Sequence, residues 1–187
     1  MEVEVSAEAK DKRLNRMVAV TVVVLSVFTG VCNIKDGNIV QAMSQAKADS
    51  VDHWGEYQAT KTKLHVAETA RSEIAIIAGA KPSAEAQAAM QRLDKDIAKY
   101  KGEAPALAKK AQGFADSYDA LNVHDDQFDA SEAFIATAIS MAAVSALAES
   151  FWLLVGSWAI GGFGIFMGLC GFLGWGFHPD VLSTLLG

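Results

Sequence analysis

Five side chains near the end of a long polar segment offer the best chemistry in this chain. His124, Asp125 and Asp126 are consecutive, and Asp129 and Glu132 follow them. On a helix, residues three or four apart share a face, which groups Asp125 with Asp129 and Asp129 with Glu132. Carboxylates with one imidazole can hold a divalent ion loosely, with His124, Asp125 and Asp129 as the candidate ligands. The plainer interpretation is an acidic collar where a helix enters a membrane surface, its charges favoured if a helix starts there. That interpretation is adopted, so neither metal nor cofactor is expected.

The remaining candidates are weaker. His53 and Glu56 lie one turn apart, but His65 is about 18 Å further along a helix, so the three read as solvated side chains. Cys32 and Cys170 are read as small buried apolar side chains, with a disulfide as the alternative. His178 and Asp180 flank Pro179 in what reads as an interfacial loop. Nothing pairs a nucleophile with a base, and no phosphate loop, CxxC or haem box is present. The chain is not expected to be an enzyme.

The elements that position these residues follow from three apolar stretches. A membrane-spanning helix needs roughly 20 mostly apolar residues. Residues 17–34, 130–149 and 151–177 meet or approach that length, the second by extending an apolar core at 134–148. Hydrophobic residues make up 51 % of the chain, and the excess is concentrated in these stretches. Residues 1–16 form an N-terminal tail carrying Lys10, Lys12, Arg13 and Arg16, and residues 178–187 a C-terminal tail. A basic segment before an apolar run can be a signal peptide, but no small-residue cleavage site precedes Cys32, so an uncleaved anchor is expected. The four bases place the N-terminus in the cytoplasm and residues 35–129 outside it, periplasmic at a bacterial inner membrane. The turn near Glu149–Ser150 would then face the cytoplasm, although it carries no base. Beyond Lys110 the chain has eight acids and neither Lys nor Arg, which argues against a nucleic-acid partner.

Residues 35–129 read as an antiparallel helical hairpin. Gly79, Pro82 and Ser83 mark the break between two arms of nearly equal length. The return arm repeats at spacings of four and three through Ala86, Met90, Leu93, Ile97, Tyr100, Ala104, Leu107, Ala111, Phe114, Tyr118, Leu121, Asp125 and Phe128. That is a coiled-coil seam, and it keeps its register across Pro105, where a kink is expected. The outgoing arm shows only the pairs Val40/Met43, Trp54/Tyr57, Leu64/Ala67 and Ile74/Ile77. The first apolar stretch should run into this arm without a break.

The last stretch carries Ser157, Gly161, Gly164, Gly168, Gly171 and Gly174 every three or four residues. Such a face lets helix backbones approach closely in lipid. Ala136, Ser140 and Ala143 are the expected matching face on the second stretch. Packing of these two helices on each other is the first expectation, and association with another chain the second. Trp152 and Trp175 read as an interfacial aromatic belt, and Trp158 as a packing residue.

Two segments, Lys35-Asp36-Gly37-Asn38-Ile39-Val40-Gln41-Ala42-Met43 and Ala48-Asp49-Ser50-Val51-Asp52-His53-Trp54-Gly55-Glu56-Tyr57-Gln58-Ala59, resemble a signature of a bacterial membrane family. That family is domain of unknown function four-three-three-seven. The block from His124 to Ala133 is similar too. The resemblance covers nearly the whole chain and implies three membrane helices. It carries over no catalytic or binding residue.

The fold expected is therefore all-α, three transmembrane helices plus an extracytoplasmic antiparallel hairpin. The function expected is a scaffold or accessory subunit assembling with itself or with subunits of a larger membrane complex. Trp54, Tyr57, Gly161, Gly164, Gly168 and Gly171 are its expected contacts, and the lipid bilayer its other partner. The alternatives are a transport or channel component, in which Glu149 is the one ionisable group of the last apolar block, and a metal-responsive sensor.

Overall fold

The computed structural model describes the backbone of residues 2–177 and the side chains of 12–177. It is all-α, with three helices: α1 (Glu2–Ala78), α2 (Ala84–Leu147) and α3 (Phe151–Leu173). Each contains a segment long and apolar enough to cross a membrane. As the sequence predicts, α1 passes from its apolar stretch into the polar arm without interruption. α2 continues through Pro105. His178 and Asp180 lie outside the described residues.

The chain divides into two compact units, one of residues 43–119 and the other of residues 1–42 with 120–187. In residues 43–119, α1 and α2 run antiparallel. The break falls where the turn residues require it. Gly79 takes φ +60°, a left-handed conformation that closes α1. The Ser83 hydroxyl accepts a hydrogen bond from the Ala86 amide and starts α2.

The expected return seam is the observed one. Every seam position named above is shielded, while most of its neighbours face outward. The partner seam on α1 was only half visible in sequence. It runs through Met43, Ala46, Ser50, His53, Tyr57, Thr60, Leu64, Ala67, Arg71 and Ile74. Val40, Trp54 and Ile77, expected to share it, point outward. Polar residues fill the gaps because each finds a partner. Ser50 Oγ donates 3.1 Å to the Ala111 carbonyl, and the His53 ring stacks on Phe114 at 5.4 Å. His53 is thus a packing residue, its side chain 18 % exposed, and not the solvated one expected. At the rim, Lys101 donates to Glu68 at 2.8 Å and Arg71 to Asp94 at 2.9 Å. The Lys101 bond holds the Glu68 carboxyl below the usual carboxylate range.

In residues 1–42 with 120–187, all three helices share a core. Leu14 and Val18 of α1 meet Ala142 of α2 and Leu154 of α3. Further along, Leu25 meets Ile135 and Ala138. The glycine face of α3 points into this core. A Cβ at Gly164 would stand 2.7 Å from Ile135 Cγ1 and 3.1 Å from the Ser131 carbonyl. One at Gly168 would meet the Phe28 ring at 2.7 Å, and one at Gly171 the Phe128 ring at 2.7 Å. Gly161 lies against Leu25 and Ala138. These glycines therefore admit the chain's own side chains: Gly164 and Gly171 take those of α2, as expected, while Gly161 and Gly168 also take Leu25 and Phe28 of α1. The matching face on α2 is a different one: Ala136, Ser140 and Ala143 are exposed, and Ser131, Ile135, Ala138, Ala142 and Ser145 are buried. This buried set extends the 4–3 repeat of the polar arm into the apolar stretch.

α3 stops earlier than the expected residue 177. Gly174 adopts φ +67° and caps the helix, so it is not part of the packed face. Gln127 then fastens the segment beyond the cap, its Nε2 donating to the carbonyls of Trp175 at 2.7 Å and Phe177 at 2.6 Å. At the other end of α3, Glu149 occupies a left-handed position with φ +49°. The Ser150 amide bonds back to the Ser145 carbonyl at 3.0 Å, which is the helix-ending motif normally built on glycine.

Candidate functional site

The chemistry-bearing residues converge at one place, where the seams of α1 and α2 carry an acid on each side. Continuing the α1 seam backwards from Met43 gives Ile39, Asp36 and Cys32. Asp125 is the one charged position in the α2 seam. The two carboxyl groups meet within hydrogen-bonding reach. Asp36 Oδ1 is buried and receives no hydrogen bond among the described residues. Two carboxylates cannot satisfy one another, because an ionised carboxylate only accepts. The contact is satisfied when one of the pair carries a proton, so that one carboxyl donates and the other accepts.

The electrostatics agree with that arrangement. Burial, then the facing Asp36 charge and that of Asp129, push Asp125 up to about 6. Burial also raises Asp36, with Asp129 and Glu132 adding to it and the Asp125 bond opposing it. Asp126 contributes a further negative charge to Asp125. Next to the pair, Ser131 Oγ is buried beside the Cys32 thiol.

The proposed metal ligands are not brought together. His124 Nδ1 lies 3.0 Å from Gln127 Oε1, Asp125 faces Asp36, and Asp129 is exposed. Among the described residues, no three His, Cys, Asp or Glu side chains form a group able to hold a metal ion. The acids also sit in mid-helix, not at a helix start, so no N-terminal dipole favours them. Asp36 was the residue sequence reasoning missed. Its signal was a charge on the 4–3 register extended from Met43, hidden by the weak pattern of that arm.

The other candidates are placed as follows. Trp54 is 36 % exposed, its ring edge-on to Tyr57 at 5.5 Å. Tyr57 lines a shallow groove with Lys61, Leu64, Lys101 and Pro105. Cys32 and Cys170 are buried free thiols. Trp158 donates its indole N–H to Thr21 Oγ1 at 2.8 Å.

Three apolar helices and no described strand define an all-α protein with the make-up of a membrane protein. The chain belongs to the family described as domain of unknown function DUF4337, whose family model matches residues 14–174. No curated protein and no solved structure matches it.

Proposed function

We propose that this chain is a non-enzymatic scaffold or accessory subunit of a bacterial inner membrane, with its N-terminus cytoplasmic and residues 35–129 periplasmic. One observation supports it above others. The internal seams are filled, yet α1 leaves Val51, Trp54, Val66, Ile76 and Ile77 uncovered in its polar arm, Ile77 being 86 % exposed. These residues lie outside the apolar segments, which supports a contact with protein over one with lipid. The contact surface proposed is the outer side of the polar arm of α1, from Val51 and Trp54 to Ile77. The glycines of α3, filled from within, are assigned to folding.

The test is the native mass of the full chain gently extracted from its own membranes, with co-migrating chains identified. Trp54→Ala and Ile77→Lys should each shrink the particle while the helical content stays. An unchanged particle for both removes this proposal.

A second reading, a proton-responsive membrane element, is favoured by the Asp36–Asp125 pair alone. It needs a pH-dependent change in the particle between pH 5 and 8 that Asp125→Asn abolishes. Constant behaviour across that range excludes it.

A further inference from the structure

One cavity lies away from the acid pair, between Arg13, Leu14 and Met17 of α1 and the turn joining α2 to α3. It measures about 760 Å³, and its walls include Arg13, Met17, Glu149, Ser150, Trp152 and Trp158. Its volume is that of a small-molecule site. Its charges are of both signs, and no ion pair among the described residues joins Arg13 to Glu149. Glu149 holds its place in a left-handed conformation where glycine is the easier residue. Trp152, 81 % exposed, stands at the first turn of α3.

The cavity therefore presents a guanidinium, a carboxylate and indole rings at one level of the apolar bundle. A guanidinium matches a phosphodiester bidentately. A carboxylate accepts hydrogen bonds from a primary ammonium. Tryptophan rings prefer the boundary between lipid and water. Basic pockets between membrane helices on the cytoplasmic side are places where lipid headgroups bind.

We infer that this cavity binds the headgroup of an aminophospholipid, with the phosphate on Arg13, the ammonium on Glu149 and the glycerol region against Trp152 and Trp158. This inference rests on the reading that the three apolar segments span a membrane. A choline headgroup retains the positive charge but has no N–H to give Glu149. A glycerol headgroup has no positive charge at all. Phosphatidylcholine therefore tests the N–H given to Glu149, phosphatidylglycerol tests the need for a positive charge, and the Arg13 variant tests the phosphate that all three share.

The experiment inserts the full chain into nanodiscs of equal parts phosphatidylethanolamine, phosphatidylcholine and phosphatidylglycerol, then counts the lipids kept on release into native mass spectrometry. The wild type should keep phosphatidylethanolamine about tenfold over phosphatidylcholine, the loss expected from one charge-assisted hydrogen bond. Glu149→Gln should bring that ratio near one by lowering the retention of phosphatidylethanolamine while that of phosphatidylcholine stays unchanged. Glu149→Gly, which relaxes the backbone, should lose the preference equally. Arg13→Gln should lower the retention of all three lipids. Equal retention of the three by the wild type, or a preference unmoved by the Glu149 variants, overturns the site. A chain that does not enter nanodiscs overturns the membrane reading itself and is distinguished from the other outcomes at the insertion step.

Discussion

Asp36 of α1 and Asp125 of α2 put two carboxyl groups in contact at a seam position of each helix, with Asp36 Oδ1 buried and unbonded among the described residues. A carboxyl raised in the folded state holds its proton more tightly folded than unfolded. Its contribution is therefore full below the unfolded value and lost as pH rises through the folded one. With an ordinary value near 3.8 and a folded value of about 6 for Asp125, the loss falls between pH 4 and roughly 7. The groups facing the pair are Asp126, Asp129 and Glu132, all acids, so nothing among them offsets the second charge.

The wild type should lose about 1–2 kcal/mol of stability between pH 4 and 7, the roughly 3 kcal/mol of the full shift discounted for partial solvent screening. Asp125→Asn should be nearly flat over that range. Thermal unfolding in detergent, followed by circular dichroism at each pH, measures both. Identical pH profiles for the two proteins would show that the carboxyls do not share a proton.

The α3 glycines give a paired test. Gly164→Ala drives a methyl into Ile135 and the Ser131 carbonyl, and overpacking of this kind costs about 1–3 kcal/mol. Gly162→Ala meets nothing within 4 Å and should cost nothing or stabilise by up to about 1 kcal/mol. Unfolding in mixed micelles compares them, and equal losses would mean that the glycine face is not packed inside the chain.

Gln127→Leu removes the donor to the Trp175 and Phe177 carbonyls. The cost of leaving such groups unpaired is about 1–3 kcal/mol. It should appear as faster hydrogen exchange at residues 174–177, with the middle of α3 unchanged. Uniformly faster exchange along α3 would instead make Gln127 a determinant of the whole bundle.

Glu149→Gly should stabilise the fold by about 1 kcal/mol, because an L-residue is disfavoured in the left-handed region that glycine occupies freely. Unfolding midpoints of the two proteins decide it, and a lower midpoint for the variant would mean that the Glu149 side chain makes a stabilising contact that outweighs the strain.

Much of the architecture was legible in the chain alone. Length and apolar content mark three candidate spans, and Gly79 with Ser83 marks the reversal, because these depend on local chemistry. The 4–3 repeat from Ala86 to Phe128 was legible for the same reason: one apolar face repeats on one helix. The α1 seam was obscured because Ser50, His53 and Thr60 occupy it, and only the partner helix shows that Ser50 reaches the Ala111 carbonyl and His53 the Phe114 ring. The buried α2 face continues the same 4–3 repeat from Phe128 through Ser131, Ile135, Ala138, Ala142 and Ser145, but alanine and serine on several sides of that helix masked it, since size alone does not select among them.

The sequence by itself determined where the chain can be apolar, where it must turn and which residues are small enough for close packing. Only the tertiary structure decided which small residues are covered, which acids meet and that Arg13 lines one cavity with the base-free turn at Glu149. Hydropathy, turn formation and side-chain size are properties of neighbouring residues. The Asp36–Asp125 contact joins positions far apart in the chain, and it exists only because two long helices align their seams and half-bury both residues together.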